Sequence, residues 1–199
     1  MKYLVLLFLL LNVAVQAEEK PYSMRVGYGW ASNNDLGDII SGKLGSTPQN
    51  LTVVNVDGGY LLKEGMFDLP IDVYAKGGLS RFKELSGSTY EATLYIKALY
   101  NLDFSDNRVR FGLGEGISYA TSVLDVERIE EAPKNGKTSK FLNYLDISVD
   151  IDLGRLINYE PMKDVYLGYL LKHRSGVFGL FNGVSGGSNY NTLYIETNF

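Results

Sequence analysis

The sequence contains a single histidine, His173, in the run Lys172-His173-Arg174-Ser175. If this run is a β-strand, residues two apart project to one face, and His173 and Ser175 lie about 7 Å apart at Cα. An imidazole beside a hydroxyl is the base–nucleophile pair of serine hydrolases. The ring takes the serine proton as the oxygen attacks a carbonyl carbon. The same parity places Val165, Leu167, Tyr169 and Leu171 on the face of His173 and Ser175. Toward the C-terminus, Asn189 and Asn191 share a face with Leu193, Ile195, Thr197 and Phe199. The chemistry therefore falls on an apolar face. H-x-S is a short motif, and polar residues also mark strand ends at the level of lipid headgroups. The elements that carry the motif have to decide.

Eight segments of roughly ten residues alternate with period two, the signature of transmembrane strands. They are Met24–Ala31, Leu51–Leu62, Ile71–Ser80, Tyr90–Leu102, Arg108–Tyr119, Phe141–Leu153, Val165–Ser175 and Ser188–Phe199. In the fourth, Ala92, Leu94, Ile96 and Ala98 alternate with Thr93, Tyr95 and Lys97. In the sixth, Leu145, Ile147, Val149 and Ile151 alternate with Asp146, Ser148, Asp150 and Asp152. A soluble sandwich and a membrane barrel both produce such alternation. Three features favour the barrel: apolar faces about as long as a tilted span requires, an even strand count, and a closing aromatic, Phe199. The predicted fold is all-β, an eight-stranded antiparallel up-and-down transmembrane barrel. With both termini in the periplasm, the outer loops are Ser32–Asn50, Arg81–Thr89, Thr121–Lys140 and Gly176–Gly187. The periplasmic turns are Lys63–Pro70, Asp103–Asn107 and Gly154–Lys163.

The inward charges Arg108, Arg110, Lys76, Lys97, Asp146, Asp150 and Asp152 have both signs, which predicts an ion-pair network filling a narrow lumen. Composition agrees with export. Met1 and Lys2 precede the apolar run Tyr3–Val15, and Val15-Gln16-Ala17 is a small-residue cleavage site. Residues 1–17 read as a signal peptide cut after Ala17, leaving a barrel domain over 18–199. Cysteine is absent, which excludes disulfides, thiolate chemistry and a lipoprotein anchor. A net charge of −4 gives no basis for nucleic-acid binding. The expected location is the outer membrane of a Gram-negative bacterium.

His173-Arg174-Ser175, an outer loop, then Ser188-Asn189-Tyr190 and a terminal strand resemble the lipid A 3-O-deacylase (PagL-type) family. The likeness covers the last 27 residues in motif and the earlier strands in pattern. It implies an outer-membrane serine esterase that cleaves an ester-linked hydroxyacyl chain from the lipid A of lipopolysaccharide. His173 would be the base and Ser175 the nucleophile on the outside of the barrel, with no metal or cofactor. The substrate would arrive laterally among the outer-membrane lipids. The terminal strand ending in Phe199 would engage the barrel-assembly machinery.

Two positions depart from the family. Asn189 stands where its histidine-orienting glutamate falls, and Gly176 stands where an oxyanion-hole asparagine commonly follows the serine. The Gly176 N–H or Asn182 in the loop is the expected oxyanion donor. Glu115, at lipid-face parity in Gly114-Glu115-Gly116, is a candidate replacement acid two strand spacings from the seventh strand. The rival reading is a non-catalytic small barrel with a structural or adhesive role.

Overall fold

A computed structural model describes residues 20–85 and 87–199, so the expected signal peptide lies outside the described residues. The chain forms a closed antiparallel barrel in which each strand pairs with its sequence neighbours and the last pairs with the first. The strands are β1 (Tyr22–Ser32), β2 (Thr52–Lys63), β3 (Ile71–Glu84), β4 (Gly87–Phe104), β5 (Asn107–Ala120), β6 (Phe141–Asp152), β7 (Val165–Ser175) and β8 (Gly187–Asn198). Closure is completed at the chain ends, where the Tyr22 and Phe199 amides each donate to the other's carbonyl at 3.0 and 2.9 Å.

Six strands agree with the sequence reading to within two residues; β3 and β4 are longer. The expected loop Arg81–Thr89 is mostly strand, and Glu84 pairs with Gly87 across a tight hairpin. The alternation persists there, because Phe82, Glu84 and Thr89 still point inward and are buried. At the opposite end Phe104 pairs with Asn107 around Ser105 and Asp106, both at positive φ (47° and 62°). Such a mirror-image turn matches the right-handed twist of the strands it joins.

The outward face is apolar along the middle of the wall, with Val54, Leu79, Leu94, Leu113, Leu167 and Ile195 exposed. Aromatic side chains flank this band. Tyr22, Tyr60, Tyr100 and Phe104 lie toward the end that carries the termini, and Tyr90, Tyr119 and Phe141 toward the end that carries the long loops. An apolar belt between two aromatic girdles is the surface of a membrane-spanning barrel.

The lumen is filled by charge. Arg25 donates to Asp146 (2.7 Å), Tyr95 (2.8 Å) and Asp57 (3.2 Å). Lys97 reaches the second oxygen of Asp146 at 2.8 Å, and Lys76 reaches Glu196 at 2.8 Å. Arg110 grips Asp150 with two parallel bonds of 2.8 Å and lies over the Tyr166 ring, 3.3 Å from its centroid. Nearer the loops, Lys172 meets Glu91 at 2.6 Å, and Arg174 lies between Glu91 (3.6 Å) and Glu127 (3.4 Å). Six cations thus face six carboxylates, which leaves a packed interior. Glycine makes the room: a Cβ on Gly114 would come within 2.9 Å of the Tyr95 ring and 3.0 Å of the Asp146 side chain. Two residues expected in this network lie apart from it. Arg108 stays at the rim, paired with Asp103 at 2.7 Å, because its position is one step from the turn. Asp152 caps the short helix Leu153–Leu156 by accepting from the Arg155 amide at 3.0 Å.

The loop end is closed by the helix Asp125–Glu131. Leu124 and Val126 pack with Ala31, Leu51, Val53, Phe82 and Tyr190 in a small apolar core. This lid separates the charged lumen from the loops.

Truncating one partner of a buried pair strands the other charge. Arg25→Ala leaves Asp57 and Asp146 short of their shared cation and is expected to cost about 3–5 kcal/mol. Denaturant unfolding of the barrel reconstituted in lipid vesicles measures the loss.

Candidate active site on the outer wall

β7 and β8 are paired so that His173 lies opposite Asn189 and Ser175 opposite Gly187. On the other side of β7, His173 faces Leu145 and Ser175 faces Asn143. All six residues project from the lipid-facing wall, as the alternation of the two strands requires. Two adjacent tiers therefore hold the polar groups, one with His173 and Asn189, the next with Asn143 and Ser175.

The ring of His173 is fixed at one nitrogen. Its Nδ1 lies 2.7 Å from Asn189 Oδ1, and the Asn189 amide nitrogen donates to the Asn34 carbonyl at 3.0 Å. One tier below, Asn191 repeats the arrangement. It accepts from the Tyr169 hydroxyl at 2.6 Å and donates to the Leu44 carbonyl at 2.7 Å. The segment between β1 and β2 is thus folded down onto the outside of β8. Ser32 and Asn34 hold that fold: Ser32 Oγ donates to Leu44 O (2.7 Å), and Asn34 Nδ2 donates to Lys43 O (2.7 Å). Nothing in the alternation of the strands announces this docking.

His173 and Ser175 line one cleft of about 490 Å³ together with Asn189, Asn143 and Glu115. Gly187, opposite Ser175, presents no side chain to the cleft, so the hydroxyl is open on that side. His173 and Ser175 are not hydrogen-bonded to each other in this structure; they share the wall and the cleft. The loop Gly176–Gly186 forms the upper lip. Val177 and Phe178 line the cleft, and Phe178 is fully exposed, as is most of Leu180.

The remaining candidates are placed as follows. Glu115 lines the same cleft but is bonded to the side-chain amide of Asn143, and Asn189 occupies the imidazole nitrogen that a triad acid would take. Gly176 donates its N–H to the Gly186 carbonyl at 3.0 Å, closing the loop neck. Asn182 donates to Ser139 Oγ (2.9 Å) and the Phe141 carbonyl (3.2 Å), away from Ser175. The two expected oxyanion donors are therefore engaged in shaping the loop. Asn143, buried and directly across from Ser175, was not singled out from the sequence. Its signal was present, since it is a polar residue at the parity of Leu145 and Ile147.

No protein-family model and no curated relative matches the sequence. Among solved structures the chain is similar to the outer membrane enzyme PagL, with a TM-score of 0.61 at 9% identity, covering 89% of this chain and 99% of that one. It is also similar to Neisserial surface protein A, with a TM-score of 0.50 at 12% identity, covering 92% of this chain and all of the other. These likenesses define the class: the chain has the fold of the eight-stranded outer-membrane barrels. One neighbour is called an enzyme and the other a surface protein, so the fold alone does not choose between those roles.

A Cβ added to Gly187 would meet the Arg174 carbonyl at 1.9 Å and the Ser175 Cα at 2.9 Å. All the near atoms are backbone of β7, which leaves no cheap relaxation. Gly187→Ala is expected to part β7 from β8 beside Ser175 and to destabilise the barrel by about 1–3 kcal/mol. Ser175→Ala, which removes one oxygen from an open position, is expected to leave stability unchanged in the same unfolding assay.

Proposed function

We propose that this chain is an integral outer-membrane esterase that removes an ester-linked hydroxyacyl chain from the lipid A portion of lipopolysaccharide. The observation that carries the reading is the position of the one imidazole. His173 projects from the lipid-facing wall with its Nδ1 held by Asn189, and its cleft contains the Ser175 hydroxyl. An amphiphile in the outer leaflet reaches such a cleft by lateral diffusion, without leaving the bilayer. The exposed Phe178 and Leu180 continue the apolar surface of the wall above the cleft and suit an acyl chain.

Ser175 Oγ attacks the ester carbonyl as His173 Nε2 accepts its proton. The tetrahedral intermediate collapses with the proton passing to the departing sugar oxygen, and water then releases the acyl chain from Ser175 by the same base. Rotation of the serine into hydrogen-bond reach of the ring accompanies substrate binding; catalytic hydrogen bonds are often loose before substrate is bound. An amide stabilises an imidazolium less than a carboxylate does. Losing the carboxylate from a serine protease triad lowers turnover about 10⁴-fold. A slow enzyme is the expected result.

The second reading, a surface barrel without catalysis, is favoured by one observation: among the described residues no carboxylate is hydrogen-bonded to the histidine, and its Nδ1 meets an amide instead.

Mass spectrometry of lipid A from cells expressing the protein decides between them. The wild type is expected to show loss of one hydroxyacyl chain, Ser175→Ala and His173→Phe to show none, and Glu115→Gln to match the wild type. An unchanged lipid A profile in every strain, with the barrel folded in the outer membrane, supports the surface protein.

A further inference from the structure

We infer that the loop between β1 and β2 sets the protonation pattern of His173, acting through the side chain of Asn189. The inference names positioning elements for the esterase reading and rests on it for its catalytic consequence alone.

A primary amide has one end that accepts and one that donates. The Asn34 carbonyl can only accept, and it lies 3.0 Å from Asn189 Nδ2. Turning the amide over would keep a bond to the ring, with Nδ2 donating to an unprotonated Nδ1, but would set Asn189 Oδ1 against that carbonyl, so the loop contact would change from a hydrogen bond to a repulsion between two acceptors. The loop therefore holds Asn189 with its oxygen toward the ring. Oδ1 stands 2.7 Å from His173 Nδ1, and that distance is a hydrogen bond only if Nδ1 carries the proton. In the neutral ring the proton then sits on Nδ1, and Nε2 has the free lone pair. A general base for Ser175 needs that lone pair on the ring edge away from Asn189.

Asn191 shows that the orientation follows from the docked loop. Its amide donates to loop carbonyls, Leu44 at 2.7 Å and Gly45 at 3.4 Å, and its oxygen accepts from a β7 side chain, Tyr169. Two asparagines on β8 thus turn the same way, nitrogen to the loop and oxygen to β7. In a chain with a carboxylate at position 189 both ends would accept, and no loop contact would be needed to choose an orientation. Here an amide occupies the position, and the loop supplies the choice.

The single histidine makes the test direct. Protein labelled with ¹⁵N only at histidine, folded in micelles and held above the ring's titration range, gives the two nitrogen signals of one imidazole. The wild type is expected to show the proton on Nδ1. Ser32→Ala combined with Asn34→Ala removes the side chains that fix the loop and leaves His173, Ser175 and Asn189 intact. That variant is expected to move population to the Nε2–H form and to lower lipid A deacylation about tenfold or more, bounded by the ~10⁴ of a wholly wrong tautomer. Asn189→Leu, checked for folding by its heat-dependent gel migration, is expected to lose the Nδ1–H preference altogether. A wild-type ring protonated at Nε2, or a tautomer unmoved by freeing the loop, overturns the inference. A wild type protonated at Nδ1 that leaves lipid A intact upholds the tautomer assignment and removes the esterase.

Discussion

The structure depends on the closure of its hydrogen-bonded sheet. Once β1 pairs with β8, every strand has two partners, and a side chain has only two destinations, lumen or lipid. A bilayer offers no water to an unpaired backbone group, so the ring has no cheap open state. Register then becomes a constraint on chemistry. A slip of one residue in β7 would carry His173 and Ser175 into the lumen and expose Lys172 and Arg174 to lipid. The ion pairs of Lys172 and Arg174 with Glu91 and Glu127 oppose that slip, and they thereby hold the outer pair in place.

The two sides of the wall treat polar groups differently. Inside, the burial of six cations is balanced by six carboxylates, several with tyrosine hydroxyls in their first contacts, as Tyr95 and Tyr194 provide for Asp57 and Asp150. Each ion is desolvated, and the opposite charges, tyrosine hydroxyls and direct ion pairs offset much of that cost, although Arg25 Nη1 and Glu127 Oε2 are buried without a hydrogen-bond partner. Outside, the polar groups are mainly neutral amides and hydroxyls. Asn189 and Asn191 take the loop carbonyls as partners, and Glu115 takes Asn143. An amide at such a position is satisfied by two neighbours, a loop carbonyl and a β7 side chain. The chemistry at position 189 fits that environment.

Much of this was legible in the sequence because period-two alternation survives closure unchanged. Strand parity alone placed His173, Ser175, Asn189 and Glu115 on one wall, and the structure brings all four into one cleft. It failed where the determinants are not periodic. The docking of the β1–β2 segment depends on backbone carbonyls, which have no sequence signature. The engagement of Gly176 and Asn182 depends on loop closure. The long β3–β4 hairpin was hidden because Arg81, Lys83 and Ser88 look like a polar loop, although the residues between them continue inward as strand. Arg108 has the parity of a lumen residue and the location of a rim residue, and depth is a quantity that parity does not encode.

Those limits explain the site's main chemical question. Read as a motif, an asparagine in place of a carboxylate is a loss of about 5.5 kcal/mol by analogy with a protease triad. That analogy contains two separable effects, the charge and the tautomer. In a triad whose aspartate becomes asparagine, the amide can turn its nitrogen to the ring and reverse the proton's position. At Asn189 the loop carbonyl opposes that rotation, so on the inferred tautomer the tautomeric part of the penalty would fall away and the electrostatic part would remain. On the esterase reading, a base that keeps its lone pair directed at the serine but gains little help in becoming charged would make a slow hydrolase.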